Sequence, residues 1–374
     1  MSDSDKRRIV VIVGPTAGGK SELAVALAER LRGLPAFRGG QVISADSMQV
    51  YRHMEAGTAK PSIALRRRVP HHLIDIIEPT ERFTVADWLV RAEGVIADVQ
   101  AAKAVPIVVG GTNLYIKALL EGMFEGPAID TELRASLEEF DSDRLHQRLV
   151  AVDPAAAGRI HRNDRKKLIR AIEVYEVTGK PISAMQTQWE EGETGSRGDK
   201  ETRRQGDMET EVSRLAGDAS GGQRPTSPST APGGRASGYR HHPIMIGLDW
   251  PVEQINRRIN ARVKAMFNPG DPSIESLPDE VRRLEAAGLL GAPASQARQA
   301  LGYKQVLEHL ADPSHLSLDD AMERTKILTR RFAKSQRTWL RRYRAVLWLA
   351  AYPYDEPRLA EQAAEYATSQ LTST

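Results

Sequence analysis

The octapeptide Gly14-Pro15-Thr16-Ala17-Gly18-Gly19-Lys20-Ser21 constrains this chain more than any other feature, because it satisfies every fixed position of the phosphate-cradling loop Gly-x4-Gly-Lys-Ser. Such a loop needs a strand before it and a helix after it. Arg7 to Val13 is a short β-branched run suited to a buried strand, and Ser21 to Leu31 reads as a helix. The glycines let backbone N–H groups curl around an anion, the helix N-terminus adds partial positive charge, and Lys20 adds a full one. Gly14 through Ser21 are therefore candidate phosphate-binding residues, with Ser21 placed to hold Mg2+ against the phosphates. The loop alone leaves open which phosphate ligand is bound.

Further strand and helix signals alternate after the loop. Gln41 to Ser44 is a second short strand, Leu73 to Ile77 a third, and Val105 to Val109 a buried strand running into Gly110-Gly111-Thr112. Thr84 to Lys103 between them reads as a helix capped by Thr84. This alternation predicts an α/β fold, a parallel sheet flanked by helices of the P-loop NTPase-like kind, whose ligands collect beyond the carboxyl ends of the strands. From about Gly122 to Gln188 only helical patterns remain (Thr131 to Phe140, Arg144 to Val152, Arg165 to Val177), as expected of a small all-α domain inserted into the sheet domain. Pro243 to Leu248 restores a strand, and the chain then reads as helical to about Arg342. Glu190 to Arg240 holds ten glycines and seventeen charges but only Met208, Val212 and Leu215 as large aliphatic residues, too little apolar surface to offset the entropy of ordering. The expected organisation is thus residues 1–121 as first part of the core, 122–188 as the helical domain, 189–241 as a disordered insertion, 242–350 as a helical completion of the core, and 351–374 as a tail.

Composition narrows the classes. With no cysteine the chain has neither disulfides nor thiolate zinc sites, and no apolar run is long enough to span a bilayer. No signal peptide is visible, so the expected location is cytoplasmic and the expected state a monomer. Net charge is only +3, so its distribution has to decide about nucleic acid. Arg324 to Arg344 contains nine basic residues and no acid, and Arg330, Lys334, Arg337, Arg341 and Arg344 step by four and three to form one predicted helical stripe. Leu328, Phe332, Trp339, Tyr343 and Val346 would anchor the opposite face. The stripe suits either a solvated face or a polyanion larger than a nucleotide.

Asp46, just past the second strand, has a place where a carboxylate could bind Mg2+ or accept a proton, or simply cap the next turn. Thr112 stands at the corresponding position after Val109 and is equally suited to capping a helix. Arg258 and Arg262 are four apart on one predicted helix face and fit either a diphosphate or surface ion pairs. His71-His72 reads as packing, since adjacent histidines point in different directions.

Taken in order, Gly14-Pro15-Thr16 through Lys20-Ser21, Asp46-Ser47 with Gln49-Val50-Tyr51, Gly57-Thr58-Ala59-Lys60-Pro61, Pro70-His71-His72-Leu73-Ile74-Asp75, Gly110-Gly111-Thr112 with Leu114-Tyr115, Asn163-Asp164, Arg170-Ala171-Ile172-Glu173-Val174, Thr178-Gly179-Lys180-Pro181, Arg258-Ile259 with Arg262, Gly302-Tyr303-Lys304-Gln305 and Thr329-Arg330-Arg331 with Ala333-Lys334 and Gln336 resemble the tRNA dimethylallyltransferase family across nearly the whole chain. The chain departs from the family in the length of Glu190 to Arg240 and in Ser335, where a basic residue is usual. The resemblance implies transfer of a dimethylallyl group from dimethylallyl diphosphate to N6 of the adenosine 3′-adjacent to the tRNA anticodon, with Mg2+ as cofactor and tRNA, through its anticodon stem-loop, as partner. It implies that Thr16 through Ser21 bind the diphosphate, that Lys20 and Arg262 neutralise the leaving group, that Asp46 is general base, and that Thr112 holds the geometry. Asp46, Ser47, Met48, Gln49, Thr112, Arg134, Lys166, Lys167, Leu168, Ile169, Arg170, Gly302, Tyr303, Lys304 and Gln305 match its tRNA-contacting segments. Taken without the resemblance, the loop suits a small-molecule or nucleotide kinase, or a non-catalytic nucleotide switch.

Overall fold

A computed structural model describes residues 8–123, 126–127, 129–185, 239–292 and 295–372. The predicted disordered insertion lies outside them except for residues 239–241. Those three belong to the sheet-bearing part: Arg240 N–H donates to Leu120 O, and buried His241 lies 3.1 Å from a Glu93 carboxylate oxygen.

The run Ile9-Val10-Val11-Ile12-Val13 is fully buried, as a strand covered by helices on both faces must be. It belongs to β1 (Arg8–Val13), which lies inside a six-stranded parallel sheet with β2 (Gly40–Ser44), β3 (His71–His72), β4 (Val105–Val109), β5 (His242–Asp249) and β6 (Val346–Ala350). The strand order is β3-β2-β4-β1-β5-β6, with Val10 opposite both Ile107 and Ile244. The chain leaves β1 for β2 across β4 and leaves β4 for β5 across β1, so its direction of winding reverses between β1 and β4. The crevice at such a switch point opens at the carboxyl ends of the strands.

The described residues divide into two compact units, those within 8–120 and 239–372 and those within 121–185. The first carries α1 (Lys20–Arg30), α2 (Ile63–Arg68), α3 (Val85–Ala101) and α4 (Asn113–Glu121, which runs one residue past the boundary). Thr84 and Asp87 close a reciprocal capping box at the start of α3, an arrangement that contributes about 1 kcal/mol. Trp88 on α3 stacks on Tyr115 at 4.7 Å and donates to Ser44 O, pinning the end of β2. The second unit holds α5 (Thr131–Glu138), α6 (Ser142–Val152), α7 (Pro154–Arg159), α8 (Arg165–Thr178) and α9 (Ile182–Met185) around its own core of Leu137, Leu145, Leu149, Leu168 and Ile172. Gly179 in the left-handed region ends α8. The first unit continues with α10 (Val252–Phe267), α11 (Leu277–Ala286), α12 (Tyr303–Ala311), α13 (Leu318–Leu340) and α14 (Glu356–Thr372).

Three local expectations need correction. The third strand is His71–His72 and not Leu73 to Ile77, because Leu73 and Asp75 take positive φ and break the extended run; Ile77 keeps one isolated bridge to Tyr51. Residues 346–372 supply the outer strand β6 and helix α14, which packs on α1, where a helical end and a tail were expected. The basic stripe stops at Leu340, where α13 ends; Ala345, at φ 57°, turns the chain into β6, so Arg341 and Arg344 leave the helical row. The buried face of α13 consists of Ala321, Thr325, Ala333, Gln336 and Leu340, whereas Phe332, expected as an anchor, is 43% exposed.

Candidate active site

Four strand ends converge on one cavity of about 600 Å3 in the first unit. β1 delivers the glycine loop, β2 delivers Asp46, β4 delivers Gly110 and Gly111, and β5 leads into α10 with Arg258 and Arg262; all of these line the cavity. β2 and β4 approach closely at their ends: a Cβ on Gly110 would stand 2.1 Å from Ala45 O, so only glycine fits.

Lys20 Nζ donates to Pro15 O at 2.8 Å. Burial pulls its pKa from the ordinary 10.5 to about 8; Asp46 opposes the shift and Arg262 adds to it. Arg262 reaches Thr16 Oγ1 at 3.2 Å, and burial lowers its pKa against the pull of Asp46 and Glu22. Lys20, Arg262 and Asp46 therefore share a poorly hydrated space in which each charge acts strongly on the others, with Glu22, Lys60 and Arg258 also on the cavity lining. Asp46 Oδ1 accepts the Met48 N–H at 2.9 Å, so the turn-capping role and the cavity position belong to the same residue. Thr112 opens α4 through its carbonyl, but its hydroxyl serves the neighbouring turn: it accepts Ser47 N–H at 3.1 Å and donates to Ser47 Oγ at 3.4 Å. Gln49 accepts from Ser44 Oγ and donates to Thr58 O and Ala59 O, tying the Asp46 turn to the opposite wall. In that wall Lys60, 1% exposed in its side chain, is held by Tyr51 O, Glu55 and Asp75.

Arg258 is placed differently from Arg262. Its Nε donates to Ala17 O at 2.8 Å and its guanidinium lies over the rings of Trp250 and Tyr354. His71 and His72 bond Val69 O and Gln41 on the far edge of the sheet and do not line the cavity.

The remaining sequence-derived candidates have mixed surroundings. Tyr303 and Gln305 are buried: Tyr303 OH donates to Glu280 at 2.5 Å, and Gln305 accepts Gly302 N–H at the head of α12, leaving Lys304 as the exposed side chain of the four. In the helical unit Leu168 and Ile169 are core residues and Lys166 and Lys167 are exposed. Arg134 and Arg170 both bind Glu173, whose side chain is 0% exposed. Burial raises that carboxyl, but the two guanidinium bonds outweigh it and hold it below the ordinary range.

Several residues that shape the cavity escaped the sequence reading. Gln336 on α13, 2% exposed, accepts Thr16 N–H at 2.9 Å and donates to Gly111 O at 2.8 Å, joining the glycine loop to the end of β4. Glu280 accepts the N–H groups of Glu55 and Ala56 and so holds the segment that leads into Thr58 to Lys60. Trp250 and Tyr354 donate to the loop carbonyls Gly18 O and Gly19 O. For Trp250 a signal existed, its place just past a strand end, and Gln336 stands in a segment that resembles the family; for Glu280 and Tyr354 none did.

An all-parallel sheet with its glycine loop at the winding reversal, and cations gathered about that loop, defines a P-loop protein of the NTPase-like fold. The family model described as IPP transferase matches residues 49–343, and the chain belongs to that family. The chain is 40% identical over 352 residues to the tRNA dimethylallyltransferase of Geobacter sulfurreducens, covering 93% of each chain. It is 38% identical over 358 residues to that of Geobacter metallireducens, covering 94% of this chain and 95% of the other. Its fold matches the full-length tRNA isopentenylpyrophosphate transferase of Bacillus halodurans with a TM-score of 0.62 at 31% identity, over 98% of this chain and 97% of that one.

Proposed function

We propose that this protein transfers a dimethylallyl group from dimethylallyl diphosphate to N6 of the adenosine 3′-adjacent to the anticodon of tRNA, giving N6-dimethylallyladenosine and diphosphate. The observation that carries the reading is the shared cavity, in which a phosphate loop with Lys20 and Arg262 faces the carboxylate of Asp46.

In this reaction the N6–C1 bond forms, the C1–O bond breaks with its electron pair leaving on the diphosphate, and N6 gives up a proton. The loop from Thr16 to Ser21 holds the diphosphate. Lys20 and Arg262 neutralise the charge that grows as C1–O opens, and the water-poor surroundings strengthen both. Asp46 accepts the hydrogen bond of the N6 amine and takes its proton, a role in general-base catalysis worth about 10²- to 10⁴-fold. Thr112 keeps the Ser47 turn, and with it Asp46, in register. An adenine amine is a weak nucleophile, so placement against C1 and exclusion of water carry much of the rate.

Mg2+ fits the donor set. No group of three or more His, Cys, Asp or Glu suited to a metal is found among the described residues, but Mg2+ asks for few protein carboxylates and takes substrate phosphate oxygens and waters. The Ser21 hydroxyl would hold it from the loop, with the carboxylates of Asp46 and Glu22 on the same cavity. When bound, the ion supplies further neutralisation of the diphosphate.

The tRNA is met by positive charge. Arg331, Lys334, Arg341, Arg342 and Arg344 are exposed on and beyond α13, and Lys166, Lys167 and Lys304 offer exposed cations elsewhere. Arg134 and Arg170 keep Glu173 company and shape the helical unit that presents Lys166 and Lys167. No helix among the described residues is long and apolar enough to cross a membrane.

The test incubates the purified protein with Mg2+, isotopically labelled dimethylallyl diphosphate and unmodified tRNA, followed by nucleoside mass spectrometry. Label in N6-dimethylallyladenosine is the expected result. No label, with ATP consumed on a small acceptor, would return the loop to a kinase.

A further inference from the structure

We propose that Trp250, Arg258 and Tyr354 form an outer clamp that sets the shape of the phosphate loop, with Tyr354 a positioning residue for diphosphate binding. Tyr354 lies beyond the stretch matched by the family model, which ends at residue 343.

Three consecutive loop carbonyls are each taken by a different side chain. Ala17 O accepts from Arg258 Nε at 2.8 Å, Gly18 O from Trp250 Nε1 at 3.0 Å, and Gly19 O from Tyr354 OH at 3.4 Å. The donors come from α10, from the turn after β5 and from the loop between β6 and α14. They also hold each other: the Arg258 guanidinium carbon lies 4.8 Å from the Trp250 ring centroid and 5.0 Å from that of Tyr354, and the two rings are stacked at 16°.

A trans peptide points its N–H opposite to its C=O. Holding the Gly18 carbonyl outward therefore turns the Gly19 N–H the other way, the orientation a bound anion requires; the Gly19 carbonyl is directed by α1 through the Leu23 N–H at 3.1 Å, and Tyr354 adds a second donor to it. Gly18 N–H is used inside the loop, by Pro15 O at 3.2 Å. The clamp also accounts for Gly19 in this chain. Its φ of 87° disfavours a side chain, and a Cβ there would meet the Tyr354 ring at 2.5 Å. The loop is closed from outside by an aromatic ring, and what remains open is the face that receives phosphate.

The inference rests on the loop being a diphosphate site, so its test uses inorganic diphosphate with Mg2+, which needs no acceptor. Calorimetry on Tyr354→Ala is expected to show a Kd for diphosphate raised about tenfold, from loss of the ring–guanidinium contact and of the loop order it imposes. Tyr354→Phe, which keeps the ring, is expected to stay within about threefold of the parent. In the transfer assay Tyr354→Ala should raise KM for dimethylallyl diphosphate and leave KM for tRNA unchanged. Parental diphosphate affinity in Tyr354→Ala overturns the clamp. So does a loss in Tyr354→Ala that Tyr354→Phe fails to recover and that accompanies a fallen melting temperature, since that marks general destabilisation. If the parent binds diphosphate yet never prenylates RNA, the proposed function fails while the clamp stands.

Discussion

Lys20 is charged below a pKa of about 8 and loses its charge as pH rises through that value, because burial opposes the ammonium more than Asp46 supports it. Diphosphate affinity of the free protein is therefore expected to fall between pH 7 and pH 9, which calorimetry at the two values checks; a flat profile would mean that Lys20 stays charged. The same shift has the opposite sign for ligand-free stability. A lysine whose folded pKa lies below its unfolded 10.5 binds fewer protons in the native state between pH 8 and 10.5, so its contribution to stability improves as pH rises through that window. Asp46→Asn keeps an acceptor for Met48 N–H and should keep the fold and diphosphate binding, while transfer falls about 10²- to 10⁴-fold; a parental rate would remove Asp46 from the proton transfer. At this scale the glycine loop was legible in the sequence because fixed spacing carries its geometry, and the Asp46 position because it lies just past a strand. The roles of Gln336, Trp250 and Tyr354 were not, since each acts through hydrogen bonds to backbone 225 or more residues away, which nothing local in the sequence specifies.

Secondary structure was legible wherever burial wrote a period into the sequence. β4 was read at its observed bounds because a strand covered on both faces is apolar throughout, and α8 was ended by the glycine that its C-terminus demands. β6 went unread because its apolar run Val-Leu-Trp-Leu-Ala directly follows the arginines at the end of α13 and continues their helical pattern. The buried side of α13 went unread because Ala, Thr and Gln carry little hydropathy: that helix is seated by close approach and hydrogen bonds. Gln336→Leu tests the point. It leaves Thr16 N–H and Gly111 O without their partner, at about 1–3 kcal/mol for each unsatisfied group, and frees two walls of the cavity. The expected outcome is a lower melting temperature together with weaker diphosphate binding; a drop in melting temperature alone would mean that the loop keeps its shape without α13.

Within the first unit, an open parallel sheet gathers at the carboxyl ends of its strands groups that are far apart in the chain, from Thr16 to Tyr354. The change from alternating strands to helices near Gly122 was visible because the two kinds of packing leave different periods, whereas the role of residues 346–372 depended on which strand would stand next to β5, and nothing local decides that. A chain ending at residue 345 would leave β5 as the sheet edge and strip α14 from α1. Its expected outcome is poor soluble yield and early thermal unfolding, measured beside the full chain, since an uncovered apolar strand edge pairs with other molecules.

The ribosome releases Gly14 to Ser21 long before Tyr354, 335 residues downstream of the Gly19 carbonyl that its hydroxyl meets. Both the sheet neighbours of β1 and the outer support of the loop are therefore made after the loop itself. The clamp proposed above thus predicts that a chain ending before Tyr354 binds diphosphate more weakly than the full chain, which calorimetry on the two would measure.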